Sequence, residues 1–319
     1  MEGSNRPIVL QPPEEGDGWE RGNLNSSYTV EGSMARHRFK DFFRNFCRGE
    51  IYTYREALLR QWNKREYFVE VDLAHLSEYD DALLSSLQTN PGNLLPFFEA
   101  GAKDALYSVL VVENRDVLQQ EITPEFQIVL RSTQLTQSLR NLTAEHVNKL
   151  IKVPGIVISC SRTRSKAFHI VAKCTKCQTV KQIACSTSME GAHIPTKCDR
   201  DGKIGEDCGP GSYVIMSDKC KYIDQQTMKL QESPEVVPTG EMPRNIMLTV
   251  DRYLVDRITP GTRVSVLGIT SLFQSAATAS LRASNTSIRT PYLKVIGVQI
   301  ESEGGGRADT VFTPSEEVR

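Results

Sequence analysis

Four cysteines carry the clearest chemistry in the chain. Cys174 and Cys177 form a C-T-K-C knuckle, Cys198 follows after twenty residues, and Cys208 after nine more. Two thiolates two residues apart can grip one metal from a single tight turn, and two more from a second arm complete the tetrahedron that Zn²⁺ prefers. The chain between the arms is rich in turn residues: Gly191, Pro195, Gly202 and Gly205. Such a segment has little apolar matter for a core and needs the metal to fold. A redox C-x-x-C is the competing reading, but it calls for a βαβ setting that the flanking pattern does not offer. In the second arm, Cys220 or His193 could stand in for Cys208, and Cys185 reads as buried filler. Four cysteine ligands leave zinc no open position, so the expected Zn²⁺ is structural.

A second chemistry is electrostatic. Residues 161–181 hold six Lys and Arg and no acid. Arg162, Arg164 and Lys166 fall in a turn between two strand-like runs, a position from which small barrels track the phosphates of a single strand. Residues 271–291 form a Ser/Ala/Thr-rich loop between apolar strands, with Arg282 and Arg289 as its only charges. It reads either as a hairpin projecting into a channel or as an ordinary surface loop. Catalysis finds no footing: no G-x-x-x-x-G-K-[ST], H-E-x-x-H or G-x-S-x-G occurs, and the five histidines are scattered. The chain is therefore expected not to be an enzyme by itself and to hydrolyse no ATP.

The elements that must position these residues follow from composition and periodicity. The chain has 319 residues, a net charge of −1 and eight cysteines. That length allows two or three domains, and the near-neutral charge confines any nucleic-acid binding to local patches. No signal peptide or membrane span is legible, so the cysteines point to a reducing compartment and a metal rather than to disulfides. Residues 1–32 read as a disordered tail. Residues 33–120 read as a mainly helical subdomain. A helix is predicted from about Met34 with Phe39, Phe42, Phe43 and Phe46 on one face, and basic residues over the rest. A second helix spans 54–65, a strand 67–73, and further helices 80–87 and 95–110, with Asn90-Pro91 as an alternative start to the last. Residues 121–173 and 213–302 carry short β-branched runs at regular spacing, which predict a small antiparallel barrel of the OB type. Residues 174–212 are the zinc-binding insertion, and 303–319 a linker. The fold class is thus multi-part α+β, with a helical subdomain, an OB-fold β-barrel and an inserted zinc subdomain.

From Asp218 to Val264 the sequence resembles a known family. DKCKYIDQQTMKLQE and VVPTGEMPRNIMLTVDRYLVDRITPGTRV, together with IKVPGIVIS and RTPYLKVIGVQ, are similar to the N-terminal region of the minichromosome maintenance replicative helicases, and to their fifth-subunit branch most of all. The resemblance covers about residues 34–302. It implies the same three-part fold, zinc on Cys174, Cys177, Cys198 and Cys208, and single-strand contacts at Arg162, Arg164 and Lys166. It also implies an N-terminal hairpin over 272–290, less basic than in many relatives, and a loop coupling this region to the motor over 232–244. Glu232, Pro234, Gly240, Pro243 and Arg244 bound that loop's two Pro-containing turns.

The resemblance implies a hetero-hexameric ring with related helicase subunits. The ring would encircle DNA, single- or double-stranded and without regard to sequence, during licensing and unwinding. ATP and Mg²⁺ enter only through a motor domain expected beyond residue 319. A nuclear location is implied, with room for a cytoplasmic pool, and no membrane. Two rival readings stand beside it. A freestanding zinc-containing single-strand binder would bind DNA tightly as a monomer, and a zinc-ribbon scaffold would not bind DNA at all.

Overall fold

The computed structural model describes residues 25–49, 51–112, 126–133, 135–185, 194–195, 197–198, 208–209, 211–273 and 289–301. Helix α1 (Asn25–Asn45) begins ahead of the expected Met34, inside the stretch read as a disordered tail. Phe39, Phe42, Phe43 and Phe46 are all buried, as the one-face spacing requires. Phe39 stacks on Phe98 with ring centroids 4.1 Å apart. Helix α2 (Thr53–Lys64) ends where Arg65 turns left-handed, and its last N–H groups return to Gln61 and Trp62. Helices α3 (Leu73–Tyr79) and α4 (Asp81–Thr89) are started by aspartates. Asp72 accepts from Ala74 N at 2.9 Å, and Asp80 from Leu83 N at 3.1 Å. Helix α3 was not expected; its signal was the Asp72 cap. Helix α5 (Pro91–Val112) starts at Pro91, and Pro96 lies early enough that few intrahelical bonds are forgone.

Strand β1 (Phe68–Asp72) pairs in parallel with β2 (Gln127–Arg131), from Phe68↔Gln127 to Asp72↔Arg131. Strand β2 therefore belongs with the helical part, although the expected boundary at 120 gave it to the barrel. The ribbon is covered on both sides. Val69, Val71, Ile128 and Leu130 enter the helical core, while Phe68 and Val129 enter the second one. Phe68 stacks on Tyr253 at 3.4 Å between centroids.

The remaining strands form one sheet: β3 (Leu150–Cys160), β4 (Arg164–Cys174), β5 (Val180–Ala184), β6 (Tyr213–Ile215), β7 (Lys221–Gln231), β8 (Asn245–Asp251), β9 (Arg263–Phe273) and β10 (Thr290–Ile300). Pairing runs β3-β9-β10-β8-β7-β4-β5, with β6 on β4, and β3 also pairs with β7. The strands β3, β9, β10, β8 and β7 thus make a closed circuit of hydrogen bonds. The expectation of an all-antiparallel arrangement is corrected at one seam, because β8 and β10 are parallel. Inside the circuit lie Val153, Val157, Leu230, Leu248, Val264, Val266 and Leu293. Leu267, Ile269 and Ile296 point the other way, into the helical core. Strand β9 is consequently buried on both faces from Val264 to Thr270.

Two polar latches join the halves. The buried Gln127 amide donates to the Asp251 backbone oxygen (3.1 Å) and Oδ1 (3.0 Å) and accepts from Tyr253 N (2.8 Å). Arg252 pairs with Glu99 of α5 at 2.6 Å. Strand β10 also passes β2 so closely that a Cβ on Gly297 would lie 1.8 Å from Leu130 O. Backbone cannot yield there as a side-chain tip could. We expect Gly297→Ala to destabilise the chain by about 1–3 kcal/mol through overpacking, read as a lower denaturant midpoint. Gly92→Ala, where a Cβ meets nothing within 4 Å, is the control.

Candidate metal centre and nucleic-acid face

Strand β4 carries both candidate sites. Its first residues are the basic ones, its last is Cys174, and eleven residues of strand separate the ends by about 33 Å at 3.3 Å per residue. At the far end β4 turns through Thr175–Cys177 and returns as β5, with Lys173 opposite Val180. Cys174 N donates to Thr179 O at 2.9 Å, which closes the knuckle. Strand β6 lies on the other edge of β4, with Tyr213 opposite Cys174. Thr175 N donates to Ser212 O at 2.9 Å, and this clasp brings the second arm in.

The Sγ atoms of Cys174, Cys177, Cys198 and Cys208 all lie within 4.8 Å of one another. Tetrahedral zinc with Zn–S near 2.3 Å requires sulfurs about 3.8 Å apart, so the set fits the ion. Cys177 and Cys198 approach to 3.4 Å. Among the described residues, this cluster consists of the cysteines and Tyr213, with no aliphatic side chain. Its charge balance points the same way. Burial opposes ionisation of Cys174, but the N–H groups of Cys177 and Lys176 outweigh it and bring the thiol down to about 6. Cys208 is pushed up to about 12 by burial and by the three neighbouring sulfurs. Cys177 is also drawn down, by the hydroxyl and N–H of Thr179, and thiolates gathered this closely need a cation among them. Cys220 stands apart, donating to Met216 O at 3.1 Å and accepting from Val171 N. Cys185 is half-buried, less enclosed than expected. His193 lies outside the described residues.

At the near end, Arg162 and Arg164 are exposed, and neither meets an acid among the described residues. Their turn is braced from behind. Thr163 Oγ1 donates to Asp256 Oδ2 at 2.9 Å, and Gln226 Nε2 donates to Ser161 O at 2.9 Å and to Asp256 Oδ1 at 3.0 Å. Arg164 and Lys166 sit two residues apart on β4, opposite Gln225 and Ile223 of β7, and so share a face. Lys166 is half-buried. Burial pushes its ammonium pKa down and Lys294 adds to the push, against Asp251 and Cys185. Sequence patterning missed Lys294, an apparently ordinary strand residue that is half-buried near Lys166. The β9–β10 hairpin is paired as far as Phe273↔Thr290. Arg289 is exposed at its base, and Arg282 lies outside the described residues.

The stretch 232–244 is tied at both ends. Glu232 N donates to Arg244 O at 3.0 Å, and Arg244 N to Glu232 Oε2 at 2.9 Å. Arg140, which the sequence did not flag, pairs with the buried Glu232 at 3.1 Å and with Glu241. Arg263 holds Glu235 at 2.6 Å. Pro234 opens a single 3-10 turn, and Gly240 takes φ +87°. Between the ties, Val236 and Met242 are 59% and 88% exposed, far more than isolated apolar side chains need to be.

The organisation of these parts matches two domain families. Residues 36–132 match the MCM N-terminal domain and residues 138–274 the MCM OB domain. The chain belongs to the minichromosome maintenance (MCM) family. Among curated MCM proteins it is 36% identical to the DNA replication licensing factor MCM5 of Arabidopsis thaliana over 311 residues, covering 96% of this chain and 41% of that protein. It is 36% identical over 304 residues to that of Dictyostelium discoideum, covering 95% and 39%. Against the mcm5-B protein of Xenopus laevis it is 36% identical over 294 residues, covering 89% and 40%. The chain spans about two fifths of the length of these MCM relatives. The MCM N-terminal match runs through β2, in agreement with its pairing to β1.

Two outcomes are expected. Cys208→Ser should lose bound zinc while Cys220→Ser keeps it, by metal analysis of the purified chain. Chelation should unfold the insertion and leave the five-strand circuit, which has its own aliphatic core, intact by amide exchange. At the loop 232–244 a further outcome is expected: Arg140→Ala removes the cation from the buried Glu232 and frees Glu241. Exchange at Arg244 N–H should then accelerate by at least about tenfold, the scale of one lost charge-assisted hydrogen bond, with β8 protection unchanged.

Proposed function

We propose that the chain is the DNA-gripping and ring-assembling N-terminal part of a replicative DNA helicase subunit. The observation that carries this reading is the pair of exposed guanidinium groups, Arg162 and Arg164, without acidic partners among the described residues. They stand on a braced turn of an MCM OB domain. With Lys166 on the same face they would follow phosphates, since a guanidinium pairs with phosphate and also stacks on bases. Arg282 and Arg289 on the β9–β10 hairpin would add contacts. Little base readout is expected, because a helicase must pass any sequence of single- or double-stranded DNA.

In this reading the five-strand circuit is an OB barrel. Zn²⁺ on Cys174, Cys177, Cys198 and Cys208 supplies the cation that holds the insertion together. The loop 232–244 would meet a neighbour or the motor through its exposed Val236 and Met242. The relatives named as DNA replication licensing factors support a role in licensing. The chain would act within a hetero-hexamer of MCM subunits, in the nucleus and with a cytoplasmic pool as well. Binding and hydrolysis of ATP with Mg²⁺, and helicase activity itself, would belong to the whole protein.

The test is the salt dependence of binding to a single-stranded oligonucleotide, on an assembled ring or at low salt. Arg162→Ala, Arg164→Ala and Lys166→Ala together should flatten log K against log salt by roughly 2 units, at about 0.7 per lost phosphate contact. Affinity should fall alike for all sequences. An unchanged slope would take DNA off this turn and move it to Arg282 and Arg289. Tight binding by the monomer would instead favour a freestanding single-strand binder.

A further inference from the structure

The cations of α1 divide into two kinds. Arg36 donates twice to Asp104, at 2.6 and 2.8 Å, and Arg38 pairs with Asp80 at 2.5 Å. Arg44, one residue from the end of α1, has no acidic partner among the described residues, and nor does Arg55 in the first turn of α2. These two guanidiniums line one concavity of about 210 Å³ together with Asn45, Tyr52, Ser108 and Val109. Among the described residues, no carboxylate lies on its wall. Arg55 is half-buried and Arg44 exposed. Helix α2, twelve residues long, begins at the same wall, and the Tyr52 side chain before it caps none of its first N–H groups. The positive end of that helix adds to the two arginines, against the Glu56 carboxylate of its first turn.

We propose that this concavity binds a phosphorylated serine or threonine side chain of a partner protein. Two planar guanidiniums can each offer a fork of donors to one phosphate. The Asn45 amide and the Ser108 hydroxyl supply further polar groups. Val109 and the Tyr52 ring give apolar wall for the residues beside the phosphate. DNA fits less well. Strand binders line a groove with cations that meet successive phosphates, whereas Arg36 and Arg38 along the same helix are neutralised by Asp104 and Asp80. The volume takes one phosphate and its carrier side chain. The proposal does not depend on the turn at Arg162 and Arg164.

The 319-residue chain would be titrated with inorganic phosphate, O-phosphoserine, and a peptide mixture with a central phosphoserine and randomised flanks. Arginine Nε–Hε resonances and peptide affinity would be followed. The Arg44 and Arg55 signals should move and that of Arg60, an exposed cation of α2 outside the concavity, should not. Arg44→Gln and Arg55→Gln should each weaken the phosphopeptide by about tenfold or more. Arg55→Lys, which keeps the stem and the charge, should recover only part and guards against a folding defect. The proposal is overturned if the unphosphorylated mixture binds as well, or if Arg60→Gln weakens binding equally. It is also overturned if the Arg44 and Arg55 variants lose single-stranded DNA in place of the phosphopeptide.

Discussion

The structure depends on a two-strand ribbon that is buried on both faces. Strands β1 and β2 lie 55 residues apart in sequence, from Asp72 to Gln127, and pair in parallel. One face completes the aromatic core under α1 and α5, and the other closes the core of the five-strand circuit. Only its Glu70–Arg131 end opens to solvent, so the ribbon's position bears on both halves at once. Gly297 permits the backbone contact with β10, and Gln127, fully hydrogen-bonded where an unpaired amide would be costly, sets the register against Asp251 and Tyr253.

That rigid junction supports the elements that face outward. Strand β4 leaves the circuit after pairing with β7 and runs on to form the cysteine insertion with β5 and β6. The basic turn and the sulfur cluster are therefore opposite ends of one strand. Neither can move far without the other, although the two are stabilised differently. The turn rests on an aliphatic core and on the Gln226–Asp256 brace. The insertion rests on its sulfurs, and by our reading on the ion they would hold.

The loop 232–244 shows the same division between anchored ends and a free middle. Arg140, from the short turn before β3, reaches across to Glu232 and Glu241, and Arg263 to Glu235. The middle of the loop faces water, and its exposed side chains include the apolar Val236 and Met242. A loop held this way presents a preformed apolar surface at little ordering cost on contact. This is what assembly between subunits would use.

Local repetition made much of this protein legible in its sequence. The spacing of Phe39, Phe42, Phe43 and Phe46 specified a helix, the β-branched runs specified the strands of the circuit, and C-x-x-C specified a tight knuckle that brings two sulfurs together. These signals survive because each is written within a few residues. Contacts between distant segments decided the rest. The pairing of β6 with β4 puts Cys208 beside Cys174 and leaves Cys220 bonded to Met216, a choice that spacing left open. The parallel pairing of β1 with β2 buried Phe68 against the second core, a partner 185 residues away at Tyr253 that no local pattern shows. Lys166 reads as one more exposed cation, yet packing against the neighbouring strand half-buries it near Lys294. Arg140 has no motif around it; its role exists only because the chain folds Glu232 and Glu241 against it. Sequence records periodicity and ligand type, but burial and partnership are properties of the assembled surface.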